Sequence, residues 1–193
     1  MRYQIERSQT QVVKGSLTDI AKQTGASLAE TFLSADVIVL VDTSSSMQAM
    51  DAPGGKSRYD AACAELANLQ ATIPGKVAVI SFSGNSQTMF CPNGQPFNLE
   101  GGTDLAGALT FAKVADVPDM RFVVISDGQP DSEREALKVA ASYQNRIDTI
   151  FVGPEGAPGR TFLAKLASAK NGQAVTADRV AQLSSKVQYL LAA

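Results

Sequence analysis

The chain contains no histidine. That absence excludes Ser-His-Asp and Cys-His catalysis, imidazole zinc sites, and the side chain that most often serves as general base near neutral pH. Cysteine is scarce as well. Cys63 and Cys91 lie 28 positions apart, match no metal-ligand spacing, and read as a reduced cytosolic pair, with a disulfide the alternative. Long apolar runs are missing: the longest, Val37 to Val41, is far too short to span a bilayer. The N-terminal MRYQIERSQTQVVKGS carries charge with no apolar segment behind it, so it does not read as a secretory signal and a cytoplasmic, bacterial protein is expected. No run of Lys or Arg offers a footprint for nucleic acid, and no basic amphipathic stretch suggests a membrane surface. With 17 basic against 19 acidic side chains the chain is nearly balanced. Neither nucleic acid nor membrane is an expected partner.

What is present is a regular alternation. DVIVLVD (36–42) is a continuous apolar run, the pattern of a strand buried on both faces. RYDAACAELANLQATI (58–73) has helical spacing and stops at Pro74-Gly75. KVAVISFS (76–83) and QTMFC (87–91), joined through Ser83-Gly84-Asn85, predict a hairpin. Helices are expected over 105–115, 132–145 with Asp131 as N-cap, 161–172, and 178–192 capped by Asp178; strands over 121–126, 146–153 and 173–176. Such alternation implies an α/β fold, a mainly parallel sheet with helices on both faces and right-handed crossovers. Residues 1–34 read as an extension, with an extended segment (2–14) and a helix (16–33), ahead of a main domain at 35–193.

The chemistry gathers at three element ends. Asp42-Thr43-Ser44-Ser45-Ser46-Met47 places a carboxylate at the end of a strand, followed by hydroxyls at alternate positions. Gly101-Gly102-Thr103-Asp104 opens a helix, and Ile125-Ser126-Asp127-Gly128 closes a strand. In an open α/β sheet, ligands collect beyond the carboxyl ends of the strands at the topological switch point. If the strands ending at Asp42 and Asp127 are neighbours, all three segments reach one crevice. An all-oxygen set of this kind suits a hard cation such as Mg2+. The plainer reading is that the hydroxyls cap helices and the carboxylates bind loop amides. It is adequate for any one of these residues and poor for five together.

Asp-Thr-Ser-Ser-Ser (42–46) matches the Asp-x-Ser-x-Ser signature of von Willebrand factor type A (vWA) domains, with Thr103 and Asp127 at the family's later threonine and aspartate positions. From about Ala35 to Ala192 the chain thus resembles a vWA domain with a complete metal-ion-dependent adhesion site, Asp42, Ser44, Ser46, Thr103 and Asp127. Ser45 departs from the glycine common there in bacterial members. The resemblance implies a Rossmann-like three-layer sandwich of five parallel strands with one short antiparallel edge strand. It also implies direct metal ligation by Ser44 and Ser46, ligation by Thr103 directly or through water, and action of Asp42 and Asp127 through waters. Mg2+ is the expected ion; Mn2+ and Ca2+ fit the same oxygens. With so little anionic charge around it, the ion stays electrophilic, and the Asp or Glu of a protein partner is its natural last ligand.

The leading expectation is therefore a non-enzymatic, metal-dependent protein-binding module. A metal-assisted phosphate or ester hydrolase is the alternative from another class, weakened by the lack of a third acid or a lysine as base. Another is an assembly component associating through its N-terminal extension. Gly54-Gly55-Lys56-Ser57 lacks the earlier glycine and the strand of a phosphate-binding loop. Two prolines disqualify Gly153–Gly159 as a phosphate cradle. Met47 and Met50 either rim the metal site or, in the case of Met47, pack beneath the loop.

Overall fold

The computed structural model describes residues 11–51, 55–153 and 156–176. Among these residues six strands form one sheet: β1 (Val37–Asp42), β2 (Val77–Phe82), β3 (Thr88–Phe90), β4 (Arg121–Ser126), β5 (Ile147–Phe151) and β6 (Ala174–Thr176). Their order is β3-β2-β1-β4-β5-β6. All neighbours pair in parallel except β2 and β3. The short antiparallel edge strand and the five parallel strands are those expected from the sequence. β1 and β2 are buried at every position, which is why their sequences run apolar without alternation.

Six helices are described: α1 (Leu17–Thr24), α2 (Leu28–Leu33), α3 (Arg58–Thr72), α4 (Leu105–Ala112), α5 (Glu133–Ala141) and α6 (Pro158–Ser168). The pleat splits the core by parity. Ile38, Leu40, Phe122 and Val124 face α4, α5 and α6, meeting Leu105, Leu109, Ala136, Ala140, Phe162 and Leu166. Val37, Val39, Val41, Val123 and Ile125 face the other way, toward Ala61, Ala62, Leu66 and Leu69 of α3. One parallel sheet thus lies between two helical layers, as a sheet greasy on both faces requires.

Several boundaries differ from the sequence expectation for identifiable reasons. The helix expected over 16–33 is two helices. Gly25 ends α1 in the left-handed conformation at φ 73°, its amide bonding to the Ala21 carbonyl, and Ser27 with Glu30 opens α2 as a reciprocal capping box. The apolar periodicity runs through this stop and start and conceals them. α6 begins at Pro158, three residues early, because proline suits the first helical position. α5 stops at Ala141, and Tyr143 turns inward so that its hydroxyl donates to the Leu109 carbonyl. The last helix expected, over 178–192, and residues 2–10 of the extended segment lie outside the described residues.

Residues 13–18 dock onto the main body. The Val13 and Thr18 amides donate to the Asn93 and Pro92 carbonyls, and the Gly75 amide donates to Gly15. Gly15 needs its left-handed backbone (φ 81°) and its missing Cβ, which would fall 2.1 Å from the Gln70 carbonyl oxygen. Leu17 is buried in the same cluster as the α4–α6 core. Cys63 and Cys91 are free thiols, Cys91 buried with its Sγ 3.2 Å from the Ser81 hydroxyl.

Leu66 of α3 is fully buried against the sheet. Leu66→Ala should cost about 2–5 kcal/mol and lower the urea midpoint with little change in slope. Val114, almost fully exposed, should tolerate alanine within about 0.5 kcal/mol.

Candidate metal centre

The strand order sets the location. From β1 the chain crosses to β2 on one side, whereas β4 lies on the other. The carboxyl ends of β1 and β4 therefore flank the switch point, where crossing connections leave a crevice. Val41 pairs with Ile125, so one step further Asp42 stands level with Ser126. Both have the parity of Leu40 and Val124, so they lean to the same side of the sheet. The Ser126 hydroxyl donates to Asp42 Oδ2 at 2.6 Å, and the Ser44 amide donates to Oδ1 at 2.8 Å. Asp42 is fully buried with both oxygens engaged.

Burial pushes the Asp42 carboxyl up to about 6, against hydrogen bonds from Ser126 and Ser44 that hold it down; the nearby Asp127 charge pushes it further up. A buried carboxylate in this state favours any added positive charge.

Beyond Asp42 the chain turns sharply. Thr43 is locked by its amide and hydroxyl, both donating to the Phe82 carbonyl, and the Glu100 amide donates to the Thr43 carbonyl. Ser44 adopts an extended backbone ahead of a short 3-10 turn, Ser45–Gln48, and its side chain makes no capping bond. Instead the Ser44 and Ser46 hydroxyls converge at 3.0 Å. Two ligands on adjacent corners of an octahedron at about 2.1 Å from a metal sit about 3.0 Å apart. The two hydroxyls are hydrogen-bonded to each other, at a spacing that adjacent ligands of a small divalent cation would also occupy. Ser44 is buried and Ser46 exposed, so the pair lies at an opening. Met47 is buried beneath the loop, while Met50 is 66% exposed, so of the two only Met50 stands at the surface.

The Gly101–Thr103 segment is brought alongside by Ser45, whose amide donates to the Gly101 carbonyl at 3.0 Å and whose hydroxyl accepts from the Gly101 amide at 2.9 Å. Thr103 is held at its backbone. Its amide donates to Asp131 Oδ1 and its carbonyl accepts from the Asp131 amide, both at 2.9 Å. Asp131 is therefore not the N-cap of α5. Ser132 caps that helix, its hydroxyl accepting from the Glu135 amide, which releases Asp131 to clamp Thr103. Asp104, next to Thr103, caps α4.

Asp127 follows Ser126 with opposite parity and turns toward α3. There Arg58 Nη1 meets its Oδ2 at 3.0 Å. Gly128, at φ 87°, packs so closely on Gly159 that a Cβ would fall 2.5 Å from the Gly159 carbonyl oxygen; its amide donates to the Ser126 hydroxyl.

The three segments thus meet through Ser45 with Gly101 and Asp42 with Ser126, while Thr103 is held by Asp131 and Asp127 by Arg58. Arg58 and Ser126 are contacts that the motif does not contain. Arg58 had one signal in the sequence, a cation in the first turn of a helix, where the macrodipole disfavours it and a specific partner is called for. Ser126 becomes visible once β1 and β4 are placed in register. Among the described residues, no three His, Cys, Asp or Glu side chains are placed as a metal cage. A cation held here would rest on hydroxyls and waters as much as on carboxylates.

No family model and no curated protein matches the chain. Solved structures do. An aerotolerance-related membrane protein from Bacteroides fragilis matches with a TM-score of 0.63 at 17% identity, over 81% of this chain and 98% of that one. A von Willebrand factor type A protein from Catenulispora acidiphila matches with a TM-score of 0.59 at 17% identity, over 82% of this chain and 42% of that one. The manganese-loaded TRAP protein of Plasmodium vivax matches with a TM-score of 0.56 at 16% identity, over 81% of this chain and 71% of that one. The fold is the Rossmann-like α/β fold of vWA domains.

A carboxyl raised from 3.8 to about 6 binds its proton more tightly folded than unfolded. Its contribution to stability is therefore present at low pH and is lost as pH rises through that window, by about 3 kcal/mol in all. Without added metal, Asp42→Asn should unfold at a higher urea concentration than wild type at pH 7.5. The gap should shrink by about 1 kcal/mol at pH 5. A gap independent of pH would show that the Asp42 carboxyl titrates in its ordinary range.

Proposed function

We propose that this chain is a metal-dependent protein-binding module, with Asp42, Ser44, Ser46, Thr103 and Asp127 as its metal-ion-dependent adhesion site. The observation that carries the reading is the Ser44–Ser46 hydroxyl pair, 3.0 Å apart at the mouth of the sheet's switch point, backed by the buried Asp42. Ser44 and Ser46 hold the ion directly, Thr103 directly or through water, and Asp42 and Asp127 through the waters around it. Asp42 also orients the loop by accepting the Ser44 amide. Mg2+ is the preferred ion for so small a site, with Mn2+ and Ca2+ as substitutes. When bound, such a cation supplies an electrophilic position that an Asp or Glu carboxylate of a partner protein completes.

The non-enzymatic reading is supported by how the carboxylates are engaged. Each oxygen of Asp42 accepts a hydrogen bond and Asp127 is paired with Arg58, which suits them to orienting metal-bound waters rather than to acting as free bases, and the chain has no histidine for that role. Among the described residues no helix is long and apolar enough to cross a membrane. We take a bacterial cytoplasmic setting, with residues 1–34 as an extension of the vWA domain.

Isothermal titration with Mg2+ and Mn2+ should give one site per chain. Ion at about 100 times its dissociation constant should add about 2.7 kcal/mol to unfolding stability. The double variant Ser44→Ala, Ser46→Ala should lose both effects and keep its fold by circular dichroism. Capture of an acidic partner from lysate should require the ion and fail with chelator. Unaltered ion binding by the double variant would overturn the site.

A further inference from the structure

We infer that Arg58 is a built-in counter-cation of this centre, competing with the divalent ion for Asp127 while Asp51 draws it away; this rests on the metal-binding reading above. Arg58 is the first residue of α3, where a positive charge opposes the helix dipole. Ser57 and Asp60 make the cap: the Ser57 hydroxyl accepts from the Asp60 amide and donates to its carboxylate. The arginine is therefore not needed to start the helix. Its side chain is 10% exposed and divided between two carboxylates. Nε and Nη2 take both oxygens of Asp51, and Nη1 takes Oδ2 of Asp127 at 3.0 Å. Its backbone amide donates to the Ala49 carbonyl at 3.1 Å. One residue thus grips the Ala49–Asp51 end of the hydroxyl-bearing loop and the end of β4 together.

The consequence is electrostatic. Arginine stays charged at every accessible pH, and it engages one of the two oxygens of Asp127, a carboxylate that the reading above assigns to the ion's waters. With Asp42, Asp127 and the outer Asp51 negative and Arg58 positive, the four groups offer a dication about two net negative charges, one fewer than without the arginine. Ion binding is weakened, and the bound ion is left short of anionic charge, which strengthens its demand for a carboxylate from outside. Asp51 is 47% exposed and Asp127 only 11%. The outer carboxylate is therefore the more water-screened partner and the inner one the more sensitive to a competing ion.

The test is calorimetric titration of the whole chain with Mn2+ alone and Mg2+ alone, for wild type, Arg58→Gln and Asp51→Asn. Arg58→Gln should bind the ion on the order of tenfold more tightly, as expected for removal of one positive charge close to a dication. Asp51→Asn leaves Arg58 committed to Asp127 and should bind about threefold more weakly. Both variants should be less stable to urea, so a merely structural role would weaken ion binding in both; shifts of opposite sign cannot arise that way. Arg58→Met replaces Arg58→Gln if the latter does not fold. Equal or weaker binding by the Arg58 variant, with wild type binding normally, overturns this inference and leaves the metal site standing. Unchanged binding by Asp51→Asn overturns the part given to Asp51. Absence of binding in wild type overturns the metal site and the inference together.

Discussion

The centre depends on one buried carboxylate. Asp42 closes a strand buried at every position, carries no solvent exposure, and is held by the Ser126 hydroxyl on one oxygen and the Ser44 amide on the other. The first contact ties β1 to β4 across the switch point; the second bends the chain so that Ser44 and Ser46 turn back over the same spot. A carboxyl pushed up to about 6 by burial is a poor choice for stability in isolation. It suits the proposed cation site, where the energy that burial withholds would become part of the ion's binding.

Parity distributes the remaining roles. Asp42 and Ser126 stand level across β1 and β4 and lean to one side, whereas Asp127, one residue on, turns to the side of α3 and meets Arg58. Two consecutive residues at the end of β4 therefore serve different neighbours, because successive side chains of a strand point to opposite faces. The Gly128–Gly159 contact lets the chain leave β4 without displacing either. The Gly101–Thr103 segment is fastened by Ser45 in front and Asp131 behind. Ser45 uses its hydroxyl for this purpose.

Much of the fold was legible because the signals were local. Continuous apolar runs marked β1 and β2, the turn chemistry at Ser83–Asn85 marked the hairpin, and Pro74-Gly75 marked the end of α3. Failures came where two local signals compete. The apolar rhythm of 16–33 concealed the Gly25 stop and the Ser27 start. Asp131 and Ser132 are both good cap residues, and only the position of Thr103 decides that Asp131 clamps and Ser132 caps.

The sequence by itself determined the type of chemistry: no imidazole, few thiols, and oxygen-bearing side chains concentrated at three element ends. It determined these things because residue type and local order suffice for them. Which carboxylate is buried, which is paired, and where the hydroxyls meet were decided by the tertiary structure alone. Those properties come from strands distant in sequence being set in register, and from a helix whose first residue, Arg58, reaches across 69 positions to Asp127.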